Sequence, residues 1–189
     1  MGLVLASGSP RRSEMLKMIG IHDFRILPDN SDEAIEPGES PEQTVCRLAL
    51  QKALNVSYLC DLSDTIVAAD TLVYLDGVPL AKPSDRADAA IMLRALSGRK
   101  HTVYTGLAIV KGETQTVVAE LTDVYFRELN EAEILAYVDT GEPMDKAGAY
   151  AAQGRGAVFI ERVDGEFFTV MGLPLCRLTV MLRDFGFEV

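Results

Sequence analysis

Residues 65–82 read TIVAADTLVYLDGVPLAK, two apolar runs separated by Asp76-Gly77. Asp-Gly between two such runs signals a two-residue hairpin, because the turn needs positive φ at both central positions. A hairpin makes its strands antiparallel. A chain that also alternates strands with helices is therefore expected to be α/β with a mixed sheet rather than a doubly wound parallel one. Counting back from the turn, Leu75 faces Val78, and without a bulge Thr71 lies opposite Lys82. Pro79 confines the second strand to an edge. Asp70 interrupts the first run just where the sheet should be buried. An unpaired carboxylate there is costly, so Asp70 needs a partner, a metal ion or a water-filled site. Strict alternation puts Asp70 on the opposite face from Thr71, so a twist or bulge would be needed to unite them with Lys82.

The same pattern extends outward in both directions. Upstream, residues 3–6 read as a short buried strand, followed by Ser9-Pro10, a good N-cap and first helical position. Met15, Leu16, Met18 and Ile19 give that helix an apolar side, and Gly20 ends it. Residues 28–38 are acidic and turn-rich, a loop. Ser40-Pro41-Glu42-Gln43 opens a second helix with a capping box, running to about Leu59. Downstream, Ser84 caps a third helix that carries Ala89, Met92, Leu93 and Leu96 and stops at Gly98. Residues 101–110 and 114–126 form a second hairpin around Lys111-Gly112. Asn130 and Glu133 cap a helix with Ile134, Leu135 and Val138 inside, ended by Gly141. Residues 157–163 and 166–171 form a third hairpin around Asp164-Gly165. A last helix runs from Pro174 to near Gly186.

The stretch ASGSPRR, residues 6–12, places two arginines at the first bend of a chain whose formal net charge is −10. A strand–turn–helix start presents free backbone N–H groups and the positive end of the helix dipole, which suit an anion. Ser7 and Ser9 add hydroxyls, and Arg11 and Arg12 add forked donors that match phosphate oxygens. Taken alone, SPRR also fits a capped surface helix with solvated arginines. Lys52 falls at helical spacing from Val45 and Leu48 on an apolar stripe, where snorkelling to solvent is the usual explanation. Glu33 sits in the acidic loop. In DKAGAYAAQGRG, residues 145–156, three glycines allow close backbone approach to a flat ligand, and Gln153 offers an amide donor and acceptor for a base edge. The spacing is neither a Walker A loop nor a GxGxxG fingerprint.

Composition narrows the function classes. The chain has 189 residues, 48% hydrophobic and 24% charged, the balance of a globular protein of one domain or one domain of two lobes. The acidic excess argues against a duplex nucleic-acid binder. Three widely spaced cysteines form no disulfide framework or metal-ligand spacing, and with two histidines a histidine-based zinc centre is not expected. Arg11 and Arg12 follow the apolar run rather than precede it, so a signal peptide is not expected at the start. Ala6 stands where myristoylation needs Ser or Thr. No apolar run reaches membrane-spanning length. A soluble, cytoplasmic protein is expected.

Together, the segments LASGSPRR, SDEAIEPGESPEQTVCRLALQKA, AADTLVYLDGVPLAKP, MLRALSGRKHTVYTG, DKAGAYAAQG and VMGLPL resemble the Maf family of nucleoside triphosphate pyrophosphatases over almost the whole chain. The resemblance implies one domain over residues 1–189, an α/β fold similar to the Ham1-like inosine-triphosphate pyrophosphatases, and two lobes around a cleft. It implies hydrolysis of a nucleoside triphosphate to the monophosphate and pyrophosphate with a divalent metal, Mg²⁺ or Mn²⁺, in a homodimer. The SPRR, ADT and Gln-Gly signatures match the dTTP/UTP branch. The 7-methyl-GTP branch carries an aromatic residue after the proline, SDQ, and Glu-Gly. By likeness Asp70 is the general base, sharing metal ligation with Glu33, while Arg12, Thr71 and Gln153 set base preference. Ser7, Glu33, Lys52 and Lys82 fall on positions that line the family's site, and phosphate binding is expected of Ser7, Ser9, Arg11, Arg12, Lys52 and Lys82. Ala151 and Ala152 depart from the branch's usual glycine and isoleucine, which bears on how the base sits. Two alternatives stay open: a non-catalytic nucleotide-binding regulator of cell division, and the same chemistry on 7-methyl-GTP or inosine triphosphate.

Overall fold

The computed structural model describes residues 2–29, 31 and 34–188. Among them the strands are β1 (Leu3–Leu5), β2 (Phe24–Ile26), β3 (Thr65–Leu75), β4 (Val78–Leu80), β5 (Lys100–Lys111), β6 (Thr114–Phe126) and β7 (Ile160–Asp164). The helices are α1 (Pro10–Met18), α2 (Pro41–Ser57), α3 (Arg86–Leu96), α4 (Glu131–Asp139), α5 (Phe167–Met171) and α6 (Leu175–Asp184). The sheet runs β2-β1-β3-β5-β6-β7, with β4 attached to β3. β1 lies parallel to both β2 and β3, whereas β4 on β3 and β7 on β6 are antiparallel. The sheet is therefore mixed, as the hairpin at residues 65–82 requires. No helix among the described residues is long and apolar enough to cross a membrane.

The chain divides into two compact units, one of residues 1–70, 105–120 and 172–189, the other of residues 71–104 and 121–171. In the first unit α2 covers one sheet face. Ala49, Ala53 and Val56, at helical spacing, pack on Val4 and Ala6, on Ile66 and Ala68, and on Ala108 and Val110. Small residues on both sides let helix and sheet approach closely. Closest of all is Gly106, where an added Cβ would fall 2.0 Å from the Val45 carbonyl oxygen. Ser40 and Gln43 close the α2 capping box. In the second unit α3 and α4 pack over Val73, Leu75, Val103 and Val124. The rings of His101, Phe126 and Tyr150 meet edge to face there.

The Asp76-Gly77 turn forms, with φ of 51° at Asp76 and 77° at Gly77, and Leu75 faces Val78. The ladder stops at Val73 opposite Leu80, short of the expected Thr71–Lys82 pair. Pro79 has no N–H to donate, and the strand ends one residue beyond it.

Several expectations need correction. The third hairpin does not form: β7 pairs with β6, but Gly165 leads into α5, where Thr169 N–H donates to the Glu166 carbonyl. β-prone residues 167–170 thus follow their tertiary setting rather than their propensity. β2 is an additional strand, hard to see because it spans three residues of which two are exposed. Asp85 rather than Ser84 caps α3, its side chain accepting from Asp88 N–H. The turn between β5 and β6 falls at Gly112 and Glu113, one residue later than expected. Met18 and Leu135 point to solvent. Ser9 is the N-cap residue of α1, but its side chain makes no capping bond.

Candidate active site

The sheet alternation that places Ile66 and Ala68 under α2 places Asp70 on the same face. On α2, Lys52 lies among Ala49, Ala53 and Val56 on the stripe facing that sheet. The two elements therefore bring the two charges together: Lys52 Nζ donates to Asp70 Oδ1 at 2.5 Å. Lys52 is 8% exposed and Asp70 4%. Lys52 thus does not snorkel; its stem lies along the stripe and its ammonium is spent on a buried carboxylate. Asp70 Oδ2 makes no further hydrogen bond among the described residues.

The second cluster is the bend at residues 6–12. β1 delivers Ser7, which is buried, to the carboxyl end of the strand, next to α1. Ser7 Oγ accepts from Ser9 N–H at 3.3 Å and from Arg12 Nη1 at 3.0 Å. Arg12 Nε also donates to the Gly172 carbonyl at 2.7 Å, so its guanidinium is held at two points. Arg11 contributes a buried Nε with no hydrogen-bond partner among the described residues, a donor that a bound anion would satisfy. β1 pairs with β3 in parallel, Leu5 beside Val67, and the chain runs on through Ala68 and Ala69 to Asp70. Ser7 thus lies just past the carboxyl end of β1, the end at which open α/β sheets bind ligands, while Asp70 sits mid-strand in the neighbouring β3, three residues beyond Val67.

Thr71, Lys82 and Gln153 belong to the second unit. Thr71 follows Asp70 in β3 and is half-buried, Lys82 is exposed just beyond β4, and Gln153 is exposed. Glu33 lies outside the described residues. Gln153 rides on the segment whose glycines and amide suggested approach to a base edge. Its supports, Tyr137 and Glu142, went unremarked, since an acidic residue between Gly141 and Pro143 carries no motif.

His101 is buried elsewhere in the second unit. Its Nε2 meets the Tyr150 hydroxyl at 2.8 Å, its Nδ1 has no hydrogen-bond partner among the described residues, and burial pushes its pKa down to about 4. It is a neutral core imidazole. The cysteines are free thiols, and among the described residues no group of three or more His, Cys, Asp or Glu could hold a metal ion.

A buried carboxylate fixed by lysine, beside a serine–arginine bend at a helix N-terminus, can bind an anion and act on a water near it. Comparisons with known proteins bear on the fold and the family. The solved structure of a HAM1 protein from Coxiella burnetii matches 97% of this chain and 99% of its own at 16% identity and a TM-score of 0.55, which shows the fold. The dTTP/UTP pyrophosphatase of Pelotomaculum thermopropionicum is 48% identical over 99% of this chain and 98% of its own length. Those of Caldicellulosiruptor bescii and Bacillus anthracis are 46% and 45% identical, again over 99% of this chain and 96% and 97% of their own lengths. The family model described as Maf-like protein matches residues 2–185. A match of that extent, on this fold and with relatives this similar, leaves one conclusion: the chain belongs to the Maf-like family.

Proposed function

We propose that this protein hydrolyses nucleoside triphosphates, dTTP and UTP in particular, to the monophosphate and pyrophosphate. The names borne by its near full-length relatives support the substrate class. The observation that carries the chemistry is the buried Lys52–Asp70 pair at 2.5 Å. A charge pair withdrawn from water is poor value for stability alone, because desolvation offsets most of its attraction. Its retention in the middle of a sheet is better explained by use.

In this reading Asp70 orients a water and takes its proton as the water attacks the α-phosphorus. Lys52 fixes the carboxylate's orientation through Oδ1, leaving Oδ2 for the work. Arg12, anchored by Gly172 and Ser7, presents a pre-set fork to phosphate oxygens, and Arg11, Ser9 and the N–H groups opening α1 extend that cradle. Lys82 adds positive charge for the leaving pyrophosphate, and Thr71 and Gln153 read the base.

A divalent cation suits this donor set. Mg²⁺ is ordinarily held by one or two carboxylates, with substrate phosphates and water completing its shell, rather than by an all-protein cage. Asp70, with Glu33 as its companion, supplies the carboxylates. The ion, when bound, offsets the charge that builds on the leaving oxygens. A cytoplasmic homodimer is the assembly this reading adopts.

The test is pyrophosphate release from dTTP, UTP, 7-methyl-GTP and ITP, with Mg²⁺ or Mn²⁺ and again with a chelator. Metal-dependent cleavage of dTTP and UTP is expected. Cleavage of only the purine substrates would overturn the base assignment, and binding without cleavage would overturn the enzyme.

A further inference from the structure

The segment carrying Gln153 is held in an unusual way. Tyr137, on α4, donates its hydroxyl to Glu142 Oε1 at 2.9 Å and accepts from Ala151 N–H at 3.0 Å. Glu142 in turn accepts from Arg155 N–H through Oε2 and from Gly156 N–H through Oε1, both at 3.1 Å. One tyrosine and one carboxylate thus fasten the backbone on both sides of Gln153, at Ala151 before it and at Arg155 and Gly156 after it. Tyr150, immediately upstream, is pinned separately by His101.

The glycines are fitted to this fastening. A Cβ at Gly154 would lie 2.7 Å from Glu142 Oε1, and one at Gly156 would lie 2.8 Å from the Tyr137 hydroxyl and from the Ala151 carbonyl. Only glycine lets the backbone close over the two side chains. The ionisation states match the bonding. Partial burial pushes Glu142 up, but the N–H groups of Arg155 and Gly156 and the Tyr137 hydroxyl outweigh it and hold the carboxyl below its ordinary value. Burial keeps Tyr137 protonated well above neutrality, so it remains the donor.

We infer that Tyr137 and Glu142 are positioning residues that set base selectivity by fixing the backbone from which Gln153 reaches the base. They act through Gln153 and touch no reacting atom. The inference rests on the reading of Gln153 as the base-reading residue. Rigid presentation matters because a site built to hydrogen-bond one base edge rejects another only if its polar groups cannot shift to follow it.

The experiment compares kcat and KM for dTTP and for a purine triphosphate in the wild type, Q153A, Y137F and E142Q, with thermal melting of each. All three variants are expected to lose selectivity for the pyrimidine by about fivefold or more, falling on KM more than on kcat in the two clamp variants. Y137F removes a single oxygen and keeps the test open where E142Q does not fold. Selectivity lost in Q153A but intact in folded Y137F or E142Q would overturn the clamp. Selectivity intact in Q153A would overturn the assignment of Gln153 and the inference with it. A purely structural role would lower the melting temperature and leave the selectivity ratio where it was.

Discussion

Lys52 Nζ and Asp70 Oδ1 lie 2.5 Å apart, one on α2 and the other in β3, and both residues are withdrawn from solvent. The pair separates two kinds of failure. Asp70→Asn keeps the volume and a hydrogen-bonding group, so the fold should persist while turnover falls by about a thousandfold or more. Lys52→Met instead leaves a buried carboxylate unpaired and should cost about 3–5 kcal/mol of stability. The double variant should recover most of that loss and remain inactive. Chemical denaturation with steady-state rates on the three proteins checks all of this, and normal turnover in Asp70→Asn would remove Asp70 from the mechanism.

Arg12 depends on shape as well as charge. Its Nε and Nη1 reach the Gly172 carbonyl and Ser7 Oγ from one planar fork. A lysine keeps the charge but cannot reproduce the fork, so Arg12→Lys should raise KM for dTTP by about tenfold with a smaller effect on kcat. Saturation kinetics decide it, and an unchanged KM would show that charge alone suffices.

His101 should give the protein an acid-sensitive limb. Burial holds its folded pKa at about 4, against 6.5 for the free side chain. Between those values the unfolded chain binds the extra proton, so stability rises with pH. Its contribution is complete above about pH 6.5 and declines as the solution is acidified towards pH 4. The total is about 3 kcal/mol at 1.36 kcal/mol per pH unit. Urea titrations at several pH values measure the slope, and His101→Gln should flatten it in that window.

Gly106→Ala should be severe for its size. The new methyl would sit 2.0 Å from the Val45 carbonyl, so α2 must retreat from β5. A loss of about 3 kcal/mol or more is expected, since backbone rather than a flexible side chain has to yield. Because α2 also carries Lys52, activity should fall even where the variant is folded. A fully active, equally stable Gly106→Ala would refute the close packing.

What could be read in the sequence was local. The Asp76-Gly77 turn, the capping boxes at Ser40 and Asn130, and the end of α3 at Gly98 depend on residues a few positions apart and formed as expected. The Lys52 stripe and the alternation through Asp70 were each visible, but nothing local says that one lies on the other. Their contact spans 18 positions and follows from tertiary packing. The third hairpin failed for the complementary reason: Phe167 and Phe168 suit a strand, but the chain beyond Gly165 turns into a helix. The clamp on Gln153 was invisible because its recognition elements are backbone N–H groups.

The small-residue seam between α2 and the sheet carries an evolutionary consequence. It keeps two opposite charges in a dry place where a well-matched apolar pair would make the protein sturdier. On the proposed assignment, selection for hydrolysis is what retains them. A lineage released from that selection should drift toward apolar residues at positions 52 and 70, gaining heat resistance as it falls silent. Unusual robustness in a relative lacking the pair would then be a mark of lost catalysis.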